Sequence, residues 1–514
     1  MKKEIVFLII ILNCQLLYFH FGFSQGRNHQ FLIGYDTGLF DTNVTSTKAR
    51  LLFNSNSVAI LPETRKMAFR AAQGNISDEN GNLLMVSNGC WIANTTGDTM
   101  QNGSGLNPGS FANDWCSAVI GIPFPHSNVI IPWPDDPDKF ILFHQVGNYN
   151  LTGAMATELF YTVIDMTLDN GKGAVIQKNV IALTDTLNQG IAVCKHANGR
   201  DWWVCVLEEN SNNIYKLLIT PSGIASITTQ SLGVTNHNLY NGQPVFSPDG
   251  NKFAYRFFYG PSGFYTNEVR LFDFDRCTGM ISNPVIISWM HITVGQGISF
   301  SPDSKRLYTC TFDRIYQINT DTANIPASLQ IVAYNDGYYS PYPPFQTDFW
   351  LMYLAANGKI YISSGNGVID LHFINYPDSA GVSCNVQQHA LHLPCYSARG
   401  NVNHPNYYLG CDTTQTTCPC LTDVKNLSPP DFKFRVYPNP VTDGYLNIGY
   451  LLPQNKSGVF EIYDITGKVV FSYTLPPWSN YQSFRLPPLS DGIYRCVIIS
   501  DGKRVGRKLA VVRD

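Results

Sequence analysis

The chain is 514 residues long and sets 35 Lys and Arg against 38 Asp and Glu, a formal net charge of −3. Charged residues make up 14% and aromatics 13%, with 41 Gly and 30 Pro, a balance that excludes intrinsic disorder and a long-helix or coiled-coil protein. No basic excess exists to hold a phosphate backbone, which excludes nucleic acid as a partner. What remains is an all-β, extracellular composition.

Lys2 and Lys3 precede an apolar run from Ile5 to Phe23, and Gly22-Phe23-Ser24 puts small residues before a cut at Gln25. Residues 1–24 therefore read as a signal peptide, since the strongly apolar part, Ile5 to Leu12, is shorter than the ~20 residues of a membrane span. No transmembrane segment is expected in the mature chain. Export leaves twelve cysteines, at positions 90, 116, 194, 205, 277, 310, 384, 395, 411, 418, 420 and 496. An oxidising compartment permits disulfides, but spacing does not define the pairs. The closest groupings are Cys384 with Cys395, Cys194 with Cys205, and the trio Cys411, Cys418 and Cys420. Cys418-Pro-Cys420 is tighter than a zinc site wants, so no metal is expected.

The body is repetitive. Phe246-Ser-Pro-Asp-Gly-Asn-Lys-Phe-Ala-Tyr255 is echoed by Phe300-Ser-Pro-Asp-Ser-Lys-Arg-Leu-Tyr-Thr309, an offset of 300 − 246 = 54 residues. Weaker copies begin at Asn80, Pro137, Asn198 and Asn357. In Ser247-Pro-Asp-Gly250 the proline fixes φ at the second position of a type I turn and glycine suits the last, so each copy predicts a hairpin. Two further strand-like runs follow, as in Glu268–Phe274 and Val285–Trp289. Four antiparallel strands at this period describe a β-propeller blade, and ~55 residues are too few for a row of separate sandwiches. Six units have a first strand near Ala71, Cys116, Gly190, Gly242, Gly297 and Trp350. Phe31–Tyr35, Gly38–Phe40 and Val58–Leu61 supply three strands without a first one, and Asn401–Gly410 supplies one strand without followers. Joined in one sheet, they would close a seven-bladed ring over residues 25–411.

Phe31–Phe40, Asp78–Met85, Val193–His196 and Leu271–Asp275 resemble the seven-bladed, WD-repeat or lactonase-like propellers of large exported Bacteroidetes proteins. The resemblance covers residues 30–410 and implies the fold; propellers host hydrolases, lectins and scaffolds alike.

Residues 412–431 have linker composition. Beyond them, residues 432–514 read as a small β-sandwich with Thr-Gly and Asp-Gly turns. Its phrases include Tyr437-Pro438-Asn439-Pro440, Asp464-Ile-Thr-Gly467-Lys468, Asp491-Gly492-Ile-Tyr494 and a basic last strand containing Lys508. They resemble the type A C-terminal sorting domain of the Bacteroidetes type IX secretion system. The resemblance implies that machinery as a partner, with translocation across the outer membrane to the cell surface or the medium.

Chemistry is less legible. The chain has no Gly-x-Ser-x-Gly elbow, His-Glu-x-x-His helix, phosphate-binding glycine loop or EF-hand, so no cofactor is expected. Asp135-Asp136-Pro-Asp138 reads as a turn, and His196 as structural. Glu208 and Glu209 are strand neighbours facing opposite ways, which excludes a glycosidase pair. Gln73, Gln189, Gln243 and Gln296 each precede a first strand, and in a propeller such positions encircle the channel. Their amides would bind sugar hydroxyls or peptide groups at one mouth, or else cap free backbone groups; Trp115 and Trp350 would add stacking surface or inter-blade core. The expected function is thus an exported propeller binding an extracellular glycan, peptide or protein. The alternative is a lactonase-like or glycan-processing hydrolase, which needs residues such as Asp114, Glu158, Asp348 and His404 to converge.

Overall fold

The computed structural model describes residues 26–35, 48–53, 57–117, 121–150, 153–234, 240–341, 344–414, 417–418, 420, 434–442, 444–450, 452, 456–476, 481–500 and 503–512. The expected signal peptide, the strand at Gly38–Phe40 and most of the linker lie outside these residues. Two compact units divide between Leu421 and Thr422. Among the described residues no helix is long and apolar enough to cross a membrane.

The first unit is a seven-bladed β-propeller. Blade 1 has three strands, Gln30–Ile33, Lys48–Phe53 and Val58–Glu63. Each later blade has four antiparallel strands taken in chain order from the inside outward. Their inner strands are Gly74–Ser77, Asn128–Pro132, Ala192–Lys195, Tyr240–Phe246, Ile298–Phe300 and Met352–Leu354. Blades 2 and 3 are also linked by one parallel bridge, Ala174 to Gln101. The turn chemistry acts as the repeat predicts. Gly250 N donates to Ser247 O at 2.8 Å and Ser304 N to Ser301 O at 3.0 Å, and Gly250 takes φ +73°, a conformation that glycine adopts without steric cost.

A blade hides both faces against its neighbours, and the core is therefore a series of inter-blade layers. Phe253, Tyr255, Phe257 and Phe272 pack with Trp203 and Cys205 between blades 4 and 5; Ala254, Val269 and Leu271 pack with Ile298, Leu307 and Ile318 between blades 5 and 6. Blades 7 and 1 meet through Phe31 and Phe53 against Tyr353 and Tyr361, with ring centroids 5.1–6.0 Å apart.

Two expectations are corrected. First, Asn401–Gly410 is not a strand and does not pair with Phe31. Blade 1 instead presents Gln30–Ile33 as its own inner edge, and blades 7 and 1 meet by side-chain packing and a backbone hydrogen bond from Tyr35 N to Tyr396 O (2.9 Å). Residues 402–409 run through the channel, where polar side chains reach inner-strand carbonyls. Asn403 Nδ2 donates to Ile191 O (2.7 Å) and His126 O (3.3 Å), His404 Nε2 to Asn75 O (2.8 Å), Asn406 Nδ2 to Pro248 O (2.8 Å) and Tyr407 OH to Ile130 O (2.8 Å). Second, Cys116 does not begin a blade. Ser110–Ser117 is a helix whose Phe111 and Ala112 are buried, and a Cys90–Cys116 disulfide pins it. The cysteine pairs, which spacing left open, are Cys277 with Cys418 and Cys411 with Cys420, whereas Cys194, Cys205, Cys384 and Cys395 are buried free thiols. Cys418, within the expected linker, is thus tied to Cys277 of the propeller. Lys48–Phe53 is an added finding: Lys48 and Arg50 interrupt its apolar run, and Arg50 is neutralised by Glu63 at 2.8 Å.

The second unit is a sandwich. Arg435–Tyr437, Tyr445–Gly449 and Tyr481–Arg485 form one sheet; Val469–Leu475, Gly458–Tyr463, Gly492–Ser500 and Lys503–Val511 form the other. Phe460 and Phe484 stack across the core at 5.3 Å. The Tyr-Pro-Asn-Pro phrase meets the last strand, because Asn439 Nδ2 donates to Lys508 O (2.9 Å) and Asn439 Oδ1 accepts from Ala510 N (2.8 Å). Asp464 holds its turn by accepting from the backbone N of Thr466 and Lys468, with Gly467 at φ +84°.

The channel segment leaves the ring tethered at Cys418 to Cys277, which are 141 residues apart. Replacing both by Ser removes a long closed loop and is expected to cost about 2–5 kcal/mol of stability. Urea unfolding without reductant checks this; an unchanged midpoint would show that hydrogen bonds alone hold the segment.

Candidate functional site

Each inner strand runs from a rim where the glutamines lie to a second rim where the Ser-Pro-Asp-Gly turns lie. At the second rim the channel opens into a cavity of about 1130 Å³. Its walls are the strand ends and turns of blades 4 to 7, including Lys195, Asp249, Asn357 and Tyr376, and the channel segment at His404 and Leu409. Turns project here because every inner strand ends in one, so loop residues line the opening while strands fix their positions. Tyr376 is 57% exposed.

Charge in the cavity is sparse. Lys195 Nζ lies 4.3 Å over the Trp202 ring and donates to Gly199 O (3.2 Å) and Arg200 O (3.4 Å); burial pulls its ammonium down to about 8. Asp249 caps its own turn, accepting from Ser247 Oγ at 2.5 Å and Asn251 N at 3.1 Å. Deeper in, His126 is 2% exposed and neither ring nitrogen has a hydrogen-bond partner. His404 has both nitrogens engaged, Nε2 on Asn75 O and Nδ1 on Tyr353 OH at 2.9 Å. A carbonyl can only accept, so Nε2 carries the proton and Nδ1 accepts from the tyrosine.

Of the six expected binding residues only Gln243 lines this cavity. Its amide joins blades 5 and 7: Nε2 donates to Met352 O at 2.8 Å and Oε1 accepts from Met352 N at 3.4 Å. Gln73 donates to Leu32 O, joining blades 2 and 1. Gln296 is buried, with its backbone carbonyl accepting from Gln243 N at 3.1 Å, and Gln189 is half-buried. Gln145, which the sequence reading did not single out, does the same work, donating to Asn188 O (2.9 Å) and accepting from Gly190 N (3.0 Å). Trp115 sits on the helix under Arg70 at 4.8 Å, and Trp350 is buried on Phe312 at 5.1 Å. Gln73, Gln243 and Gln145 thus act as inter-blade staples.

The residues a hydrolase would need do not converge. Asp348 is held by Ser364 Oγ (2.5 Å) and Gly365 N (2.6 Å), Asp114 accepts from Tyr149 OH (3.3 Å), and Glu158 accepts from Thr157 Oγ1 (2.5 Å). His196 Nε2 donates to Cys277 O at 2.9 Å, a structural role. Among the described residues no group of three or more His, Cys, Asp or Glu is arranged to hold a metal ion.

Comparison with known proteins agrees with the two-part chain. Residues 435–512 match the family described as the secretion system C-terminal sorting domain. The chain therefore carries a sorting domain that directs export by the type IX secretion system to the cell surface or beyond. Among curated proteins, none matches the chain. Similar solved structures include Kuenenia stuttgartiensis hydrazine synthase, at 13% identity and a TM-score of 0.34, covering 69% of this chain and 98% of that one. A glycoside hydrolase family 43 arabinoxylan arabinofuranohydrolase from Bacillus subtilis is 10% identical, at a TM-score of 0.27, covering 75% and 94%. The Vanderwaltozyma polyspora Nup133 β-propeller domain is 8% identical, at a TM-score of 0.28, covering 57% and 90%. At these identities and scores the likenesses say nothing of activity.

Burial in the fold holds His126, His144, His372 and the partly buried His404 neutral. Burial lowers His126 and His404 from 6.5 to about 4, and His144 and His372 to about 3. Unfolded, each binds a proton near 6.5; folded, each resists until the lower value. The unfolded chain thus gains protons first, and stability falls as pH drops from 6.5 toward 4. The urea midpoint is expected to be lower at pH 5 than at pH 7, and His404→Gln to flatten part of that slope. An equal midpoint at both pH values would contradict this.

Proposed function

We propose that the exported propeller is a binding protein, not an enzyme, and that it takes the end of an extracellular oligosaccharide into the cavity at the turn rim. The observation that carries this reading is the cavity itself: about 1130 Å³, large for a small-molecule site, with amides, hydroxyls and turn backbone set among apolar side chains and a few charges, Lys195, Asp249 and Asp378. Such mixed donors and acceptors suit sugar hydroxyls. Tyr376, exposed at the rim, supplies a ring face on which a sugar can lie. A hydrolytic reading lacks support, because the described acidic groups and His404 are each occupied by separate structural partners. The sorting domain would bring the propeller outside the cell, where such a ligand is met, and part or all of residues 432–514 would serve only that delivery.

Glycan and peptide arrays probed with the full chain test the binding. Glycan binding that weakens about 3- to 10-fold in Tyr376→Ala, the loss of one stacking face, is expected; peptide binding alone would assign the cavity to a protein partner. For delivery, Asn439→Ala removes both hydrogen bonds to the last strand, and immunoblots of cells and medium are expected to show the variant retained inside. Normal secretion would show that the phrase is not needed in its folded form.

A further inference from the structure

Between blades 5 and 6 lies a buried cation with too few acceptors. Arg256, on the second strand of blade 5, is 0% exposed. Its Nη2 donates to Asn267 Oδ1 at 2.5 Å, while Nε and Nη1 have no hydrogen-bond partner. Two more buried donors stand beside it. Trp289 lies 5.7 Å from the guanidinium carbon and 4.9 Å from the Tyr316 ring; its Nε1–H and the Tyr316 hydroxyl are both enclosed, with each other and Thr311 as polar neighbours. Tyr316 is 4% exposed.

Among the described residues no carboxylate is within ion-pair distance of Arg256. Asp313, near the rim of the same interface, is taken by Thr293 Oγ1 at 2.5 Å and Thr311 Oγ1 at 3.0 Å. The Cys310 thiol facing Arg256 is protonated and donates to Trp350 O at 3.2 Å, and burial pushes it up to about 12. A buried, unpaired cation costs several kcal/mol, and hydrogen-bond donors that meet no acceptor add to it. Two free guanidinium N–H groups, with an indole N–H and a phenol beside them, suit a negative partner.

We infer that Arg256, Trp289 and Tyr316 form a binding site for a small monovalent anion of the halide class, held between blades 5 and 6. The anion acts as a structural ligand: it binds the folded ring and not the unfolded chain, and so stabilises the interface by mass action. The site is independent of the turn-rim cavity, and glycan binding does not bear on it.

Thermal unfolding of the full chain in sodium chloride against sodium gluconate at equal ionic strength tests the site. A midpoint that rises with chloride or bromide and saturates is expected, and in bromide-grown crystals an anomalous peak beside Arg256. Arg256→Met, similar in length and uncharged, is expected to abolish the halide dependence. Should that variant not fold, Tyr316→Phe decides: removing one donor to a charged partner should raise the half-saturating chloride concentration about tenfold. A midpoint identical in gluconate and chloride, a water in place of bromide, or an unchanged half-saturation in Tyr316→Phe would each overturn the assignment.

Discussion

The inner edge of a propeller is the constraint on which this molecule depends. Each inner strand pairs on one side only, leaving a row of backbone carbonyls and amides that face the axis. Buried groups of this kind must find partners. In this chain much of the answer comes from one stretch, Asn403 to Tyr407, whose amides, imidazole and phenol donate to carbonyls of blades 2, 3, 4 and 5. Tyr353 of blade 7 adds a fifth attachment through His404. One segment thereby binds most of the ring to itself, and among the described residues blade 1 borrows no strand from the far end of the body.

The glutamines belong to the same solution. A glutamine side chain carries both a donor and an acceptor, so it can substitute for a missing backbone partner. Gln243 on Met352 and Gln145 between Asn188 and Gly190 do this on both sides of the amide. Gln73 donates likewise to Leu32 O, so these three amides answer a backbone problem. With the channel axis occupied and the first rim stapled, the turns of the second rim are left as the adaptable surface.

How much of this was legible follows from the kind of signal involved. The Ser-Pro-Asp-Gly echoes are local, and local turn chemistry transfers directly into hairpins; so does the sorting domain, whose phrases lie on adjacent strands and turns. The closure was misread because Asn401–Gly410 has strand-like composition, yet what it does is decided by distant carbonyls that no local pattern contains. Ser110–Ser117 was misread because Trp115-Cys116 begins an apolar run, and the disulfide to Cys90 that selects the helix joins residues 26 apart. Arg256 and Trp289 sit in ordinary strand patterns, and the imbalance between them exists only once blade 6 covers them.

Cysteine chemistry ties the fold to its destination. Twelve cysteines reach an oxidising compartment if residues 1–24 are removed, and six of them stay reduced. Reactivity requires the thiolate, and burial holds Cys194, Cys310, Cys395 and Cys496 near 12, with Cys205 higher still. Those thiols are inert once the blades have packed. The pairs that do form lie outside the blade cores: one clamps the helix between blades 2 and 3, and two fasten residues 411–420 where the channel segment emerges. Blade packing before oxidation gives this outcome without a choice among the many possible pairings.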